Sequence, residues 1–234
     1  MQTRIALLAS TAVAALALAT PADAAGNWYA SVTGGGNWAD DNSFFVNPAG
    51  VTRLTWNTDD DTGFVVAGAI GMGLGNVMSG LRVELEAGWR QNQIDGSFTS
   101  NFSGPPPTAS GMVDYDHETF SVLANVWFDI PIGSGFTPYV GGGIGWADTS
   151  FDGAYTCAAN CTSGSFDFSD YGFAWQAGGG INFNVSPNMK LGVGYRFFQG
   201  PEPTALPPTP LANISSKELE NDNHSAVVTL IFGM

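Results

Sequence analysis

The chain has 234 residues and is strongly acidic, with 21 Asp and Glu against 7 Lys and Arg and a net charge of −14. That balance excludes a nucleic-acid partner, whose phosphates demand basic patches. Thirty-one glycines, 12% aromatic residues and no later apolar run near the roughly 20 residues of a membrane helix point to one β-rich domain.

The N-terminus sets the compartment. Arg4 precedes the apolar run Ile5 to Ala19, which is followed by Pro21-Ala22-Asp23-Ala24. A basic start, an apolar stretch too short to span a bilayer and a small-x-small exit predict a secretory signal peptide at 1–24 rather than an uncleaved anchor. Cleavage after Ala24 leaves a single domain at 25–234.

Period-two alternation then predicts eight strands, at about 27–36, 63–74, 80–91, 118–129, 136–148, 170–184, 189–199 and 223–234. The connections after the second, fourth and sixth are short, at Gly75 to Ser79, Ile130 to Gly135 and Val185 to Asn188. Those after the first, third, fifth and seventh are long and rich in Gly, Pro, Asn, Asp and Ser. Long structureless loops are unusual in compact soluble domains. Short turns alternating with long loops are what an antiparallel outer-membrane barrel shows, with the turns on the periplasmic side. The expected fold is therefore all-β: an eight-stranded up-and-down transmembrane barrel with four long extracellular loops. Most acids, among them Asp114, Asp116, Glu118, Asp148, Asp152, Asp167 and Asp170, fall between predicted strands or at their ends.

The two faces of each strand carry different chemistry. In the third, Leu81, Val83, Leu85, Ala87 and Trp89 alternate with Arg82, Glu84, Glu86, Gly88 and Arg90. Phe120, Val122, Ala124, Val126 and Phe128 repeat the pattern in the fourth. Aromatics gather at strand ends and small aliphatics fill the middle, as in the aromatic girdles of a membrane barrel. The opposite faces hold Arg82, Glu84, Glu86, Arg90, Asp129, Lys190 and Arg196, with inward glycines such as Gly143, Gly178 and Gly194 leaving room for long side chains. An eight-stranded barrel is only wide enough to be filled by its own side chains. A salt-bridged plug is expected, against the competing reading that these charges line a channel.

Four segments then resemble a family: Ser121 to Asp129, Thr137 to Trp146, Ala174 to Gly180, and Leu191 to Phe197. They are similar to the small outer-membrane β-barrel proteins, the group of OmpA-like transmembrane domains, opacity-type adhesins and α-proteobacterial surface antigens. The resemblance implies residence in the outer membrane, contact with its lipid and lipopolysaccharide, and assembly by the barrel-assembly machinery through the C-terminal strand. The expected protein is a monomer without cofactor that presents its acidic loops to an extracellular ligand or host surface.

Other candidate sites are minor. Cys157 and Cys161, four apart in an exported loop, are expected to form a local disulfide rather than a metal or redox site. Asp59-Asp60-Asp61 and Asp114 to Glu118 lack the spacing of a calcium loop and read as solvated acids. His224 and Ser225 are adjacent, so on a strand they face opposite sides and cannot act as base and nucleophile together. No enzyme is expected. The leading expectation is a structural and surface-interaction protein, with a narrow porin-like conduit as the alternative.

Overall fold

The computed structural model describes residues 28–39, 44–46, 51–60, 63–102, 109–133, 135–159, 162–201 and 221–233. The expected signal peptide at 1–24, the acids Asp40, Asp41, Asp61, Glu218 and Glu220, and Cys161 lie outside the described residues. The described chain forms strands β1 (Trp28–Ala39), β2 (Phe44–Val46), β3 (Val51–Asp60), β4 (Gly63–Gly73), β5 (Leu81–Phe102), β6 (Ala109–Asp129), β7 (Phe136–Ala159), β8 (Gly164–Ser186), β9 (Met189–Gln199) and β10 (Asp222–Phe232).

Antiparallel pairing closes a ring of eight of these strands. β1 pairs with β4 on one side and β10 on the other, and β4 through β10 follow in chain order, β5 pairing with β6. Closure removes the sheet edges at that level, which is why a barrel needs no further cover. β2 and β3 stand outside the ring. They form a hairpin laid against the upper part of β5, with Trp56 opposite Phe98 and Asp60 opposite Ile94.

The ring strands come in two lengths. β1, β4, β9 and β10 have 11 or 12 residues, whereas β5, β6, β7 and β8 have 21 to 24. A strand needs about 9–11 residues to cross a bilayer, a length the short strands match and the tall four exceed about twofold. Here the structure departs from the expected loops. The β5–β6 ladder continues to Ser100 opposite Ala109, and the β7–β8 ladder to Tyr155 opposite Gly164. Asp114, Asp116, Asp152 and Asp167 are consequently strand residues rather than loop residues, and Glu118, Asp148 and Asp170, expected at strand ends, lie within continuing strands.

At the other end the turns are tight. The Leu74 amide donates to the Leu81 carbonyl at 2.7 Å, closing the first turn. Gly80 leaves it with a φ of 85°, packed so closely on the Asp129 carbonyl that a side chain would collide.

The outward faces of the ring form an apolar band. Leu85, Val122, Val126, Val140, Ile144 and Val193 are all exposed in its middle. Rings mark its borders: Trp28, Phe136, Phe183 and Phe232 near the short turns, and Phe64, Trp89, Phe120, Trp146, Phe173, Trp175 and Phe197 on the far side. These far-side rings touch in pairs, Phe64 with Trp89 at 5.2 Å and Trp175 with Phe197 at 5.2 Å between centroids.

Candidate functional site

Within the ring, the inward side chains build a filled and layered lumen. Nearest the short turns, Arg82 is held between two carboxylates, 2.9 Å from Glu84 and 3.0 Å from Asp129. Glu84 also accepts from Tyr29 Oη at 2.6 Å and Trp127 Nε1 at 2.9 Å, so both of its oxygens are occupied. Arg82 in turn donates to Tyr29 Oη at 3.0 Å.

One layer up, Arg196 pairs with Glu86 at 2.6 Å, and Gln176 donates to the other Glu86 oxygen at 3.0 Å. Arg90 completes this layer without a direct carboxylate contact in the described structure. Its guanidinium lies 3.8 Å from the centre of the Phe198 ring and donates to Ser121 Oγ at 3.0 Å. Glycine makes these approaches feasible: a side chain at Gly143 would collide with Asn125, and one at Gly194 with Tyr139.

The charge balance is informative. The lower layer holds one guanidinium and two carboxylates, the upper layer two guanidiniums and one carboxylate. Together they are neutral. Burying charge is expensive unless it is paired, and here every buried carboxylate has a guanidinium in direct contact. The space between the layers, lined by Ser31, Arg82, Glu84, Trp127, Tyr139 and Arg196 among others, is about 10 Å³, room for one water.

Six of the seven expected lumen residues are thus brought together and buried. Lys190 is the exception. It lies part-exposed near the short turns, opposite Ile231 of β10, and makes no ion pair among the described residues. The aromatic partners Tyr29, Trp127, Tyr139 and Phe198 were not anticipated, although Trp127 shares its strand phase with Asn125 and Asp129.

Above the ion pairs the lumen becomes an amide and hydroxyl relay. Ser225 donates to Asn37 at 2.6 Å, Asn37 to Asn223 at 2.8 Å, Asn223 to Asn221 at 2.8 Å and Asn221 to Thr149 at 3.0 Å. Ser225 therefore faces inward, while His224 faces outward among Trp38, Tyr195 and Phe197. No Ser–His pair is formed by these two.

Beyond the far aromatic border the chemistry of both faces reverses. Inside, Ile94, Val113, Tyr115, Phe151 and Phe166 form an apolar core packed by Phe98 and Tyr155. Outside, β5 to β8 present Asp95, Asp114, Asp116, Glu118, Asp148, Asp152 and Asp167, and no Lys or Arg among the described residues. His117 sits under the apolar core, stacked on Phe151 at 4.3 Å, and burial alone pushes its pKa down to about 4. Glu118 is shifted the other way, raised first by partial burial and then by Asp116 and Asp152.

Cys157 lies in β7, where its amide donates to Ser163 Oγ at 2.9 Å. Among the described residues, no group of three or more His, Cys, Asp or Glu side chains is placed to hold a metal ion.

Comparison with known proteins identifies this architecture. The family model for the outer membrane protein beta-barrel domain matches residues 5–232. An outer membrane protein of Gluconacetobacter diazotrophicus is 29% identical over 208 residues, covering 84% of this chain and 52% of its own length. The chain thus spans about half the length of that relative. Neisserial surface protein A superposes with a TM-score of 0.48 at 12% identity, covering 89% of this chain and 97% of its own. The outer membrane protease OmpT of Escherichia coli gives a TM-score of 0.48 at 12% identity, covering 92% and 99%. The chain belongs to the outer-membrane β-barrel family and resides in the outer membrane, with its apolar band in the lipid.

Proposed function

We propose that this outer-membrane barrel is a structural and surface-interaction protein whose lumen is closed. The observation that carries this reading is the neutral set of three guanidiniums and three carboxylates packed across the lumen, with about 10 Å³ of space between its layers. A conducting pore needs a continuous water path, and an eight-stranded ring filled by side chains offers none of useful width. What the protein offers instead is outside: four strands rising above the membrane with an acidic exterior and an apolar interior of their own. That projecting wall suits contact with another surface. On this reading residues 1–24 are removed on export, 25–234 act as one barrel domain, and the C-terminal strand is read by the assembly machinery. Cys157 and Cys161 close a small disulfide, and no catalytic role is assigned.

Planar-bilayer recording of the purified wild-type protein tests the closed lumen. The expected record shows little or no steady conductance, and replacing Arg82 or Arg196 with Ala raises leak current. Large, stable single-channel currents from the unmutated protein would overturn the reading in favour of a narrow conduit.

A further inference from the structure

The three short turns have the wrong side chains for segments that face water. Their bends use Gly, Asn, Pro and Ser, as turn geometry asks. Every other described position in them is apolar: Leu74, Val77, Met78, Ile130, Ile132 and Val185. Val77 is 77% exposed, and Met78, Ile130, Ile132 and Val185 are exposed as well. None of the three turns contains a charged residue.

Their height in the barrel shows what they meet. From Phe173 to Phe183 the outward face of β8 rises about 25 Å, at about 3.4 Å per residue and a tilt of about 40°. That is the height of the apolar band of a membrane barrel, so Phe183 and Phe136 opposite it stand at the lower border. Val185 is the next outward position beyond Phe183, and Ile130 the next beyond Phe128. The apolar surface therefore runs on past the aromatic border and through the turns. Continuous exposed surface of this kind marks contact with a membrane or with another protein.

Backbone pairing and charge favour the membrane. The Val77 and Met78 amides both donate to the Leu74 carbonyl, at 2.8 and 2.9 Å, and the Leu81 amide donates to the Met78 carbonyl at 3.1 Å. The Ile130 amide donates to the Pro138 carbonyl at 2.8 Å, and Pro131 has no N–H to satisfy. Such internal pairing is what a backbone needs on leaving water. The outward acids of β5 to β8 all lie at the opposite end. At this rim stands Lys190, part-exposed and without an ion pair among the described residues, a cation at the level of lipid phosphates. With residues 1–24 removed on export, as proposed above, only 25–27, 134 and 234 at this rim lie outside the described residues, too few to cover three turns.

We propose that the three short turns insert into the periplasmic leaflet, so that phospholipid covers them in place of water. Val77, Met78, Ile132 and Val185 enter the boundary between headgroups and acyl chains, and the Lys190 ammonium meets a phosphate. Insertion lengthens the apolar surface by about 5 Å beyond the aromatic border, which suits the barrel to a thicker bilayer. This inference goes beyond the surface-interaction reading and does not depend on it. It rests on membrane residence and on removal of residues 1–24.

The test uses the mature barrel folded into mixed phosphatidylglycerol and phosphatidylcholine vesicles. Cys157→Ser and Cys161→Ser free the chain for single cysteines carrying an NBD fluorophore at position 77, 132 or 185, with position 163 beyond the opposite border as control. Lipids brominated on the acyl chains near the headgroup should remove most of the fluorescence of the three turn labels and leave the control unchanged. Aqueous iodide should give the opposite order. Because a label is itself apolar, an unlabelled variant supplies a second readout. Val77→Ser, Ile132→Ser and Val185→Ser combined should shift the acyl length that best stabilises the folded barrel to shorter chains. Lys190→Gln should lower the enrichment of spin-labelled phosphatidylglycerol around the barrel by up to about fivefold. Iodide quenching of the turn labels as strong as at position 163, or an unshifted chain-length optimum, would overturn insertion and leave the rim to a periplasmic protein. Unchanged phosphatidylglycerol enrichment in K190Q would overturn the phosphate contact.

Discussion

Below the ring of Trp89, Phe120, Trp146 and Phe173 the protein is apolar outside and charged inside; above it the order is reversed. β6 shows both halves in one uninterrupted strand. Burial alternates without a break from Ala109 to Asp129. Outward residues change from Asp114, Asp116 and Glu118 to Phe120, Val122 and Val126, while inward residues change from Val113 and Tyr115 to Ser121, Asn125 and Asp129. The backbone does one thing throughout, and the surrounding solvent decides which face is apolar. In lipid the outward face is greasy and the lumen must neutralise its own charges. In water the same strands bury an ordinary hydrophobic core and hold acids outward. The difference teaches that stability has separate sources in the two halves, and it can be broken one half at a time.

The largest effect is expected in the lower half. Glu86→Ala leaves Arg196 and Arg90 buried beside no carboxylate of their own layer, and removing one partner of a buried ion pair costs about 3–5 kcal/mol. Urea unfolding in lipid vesicles should show that loss, whereas Asp114→Ala above the membrane should stay within about 0.5 kcal/mol. Equal effects would mean the two halves are not distinct.

Next comes the lipid face. Val122→Arg should cost about 2–4 kcal/mol if it lies near the bilayer midplane. Met112→Arg, outward on the same strand and 69% exposed, should cost almost nothing.

The upper half has its own lever in His117, whose pKa near 4 lies below the unfolded value of about 6.5. The unfolded chain therefore takes up a proton first as the pH falls. His117 lowers stability by up to about 1.4 kcal/mol per unit between pH 6.5 and 4, and has no such effect above that window. Amide exchange along 109–117 should quicken in that range while β1 and β10 are unchanged, and H117F should remove the dependence. A loss shared by the whole barrel would tie the halves together.

The smallest effect is expected at the cysteines. Reduction should leave heat resistance of the barrel largely intact, because a bridge from Cys157 to Cys161 closes a short loop far from the lumen. Thiol labelling of denatured, unreduced protein should find no free cysteine; two labelled thiols would contradict the bridge.

The contrast also explains what was legible in the sequence. Within the bilayer, apolar-out and charged-in keep one phase along each strand, so Leu85 and Glu86 or Val122 and Asn125 declare their faces by parity alone. All eight ring strands and six of the seven lumen charges follow from that. At Glu118 and Phe120 the apolar residues change face, and a pattern reading takes the lost phase for a strand end. The pattern therefore reads residues 92–117 and 149–169 as loops, although the ladder continues through much of both. Parity groups Lys190 with the other charges too, but parity does not encode depth, and Lys190 lies near the rim. Tyr29 and Tyr139 escaped because an aromatic at the inward phase reads as a core residue until the carboxylate or guanidinium beside it is seen.

Spin labels placed one at a time on the outward positions of β6 measure the reversal most directly, by their access to lipid-borne oxygen and to a water-soluble nickel complex. Labels at Phe120, Val122 and Val126 should be reached from lipid, and labels at Met112, Asp114 and Asp116 from water, with the change falling between Glu118 and Phe120. Lipid access continuing upward to Met112, or water access reaching down to Val122, would contradict the account.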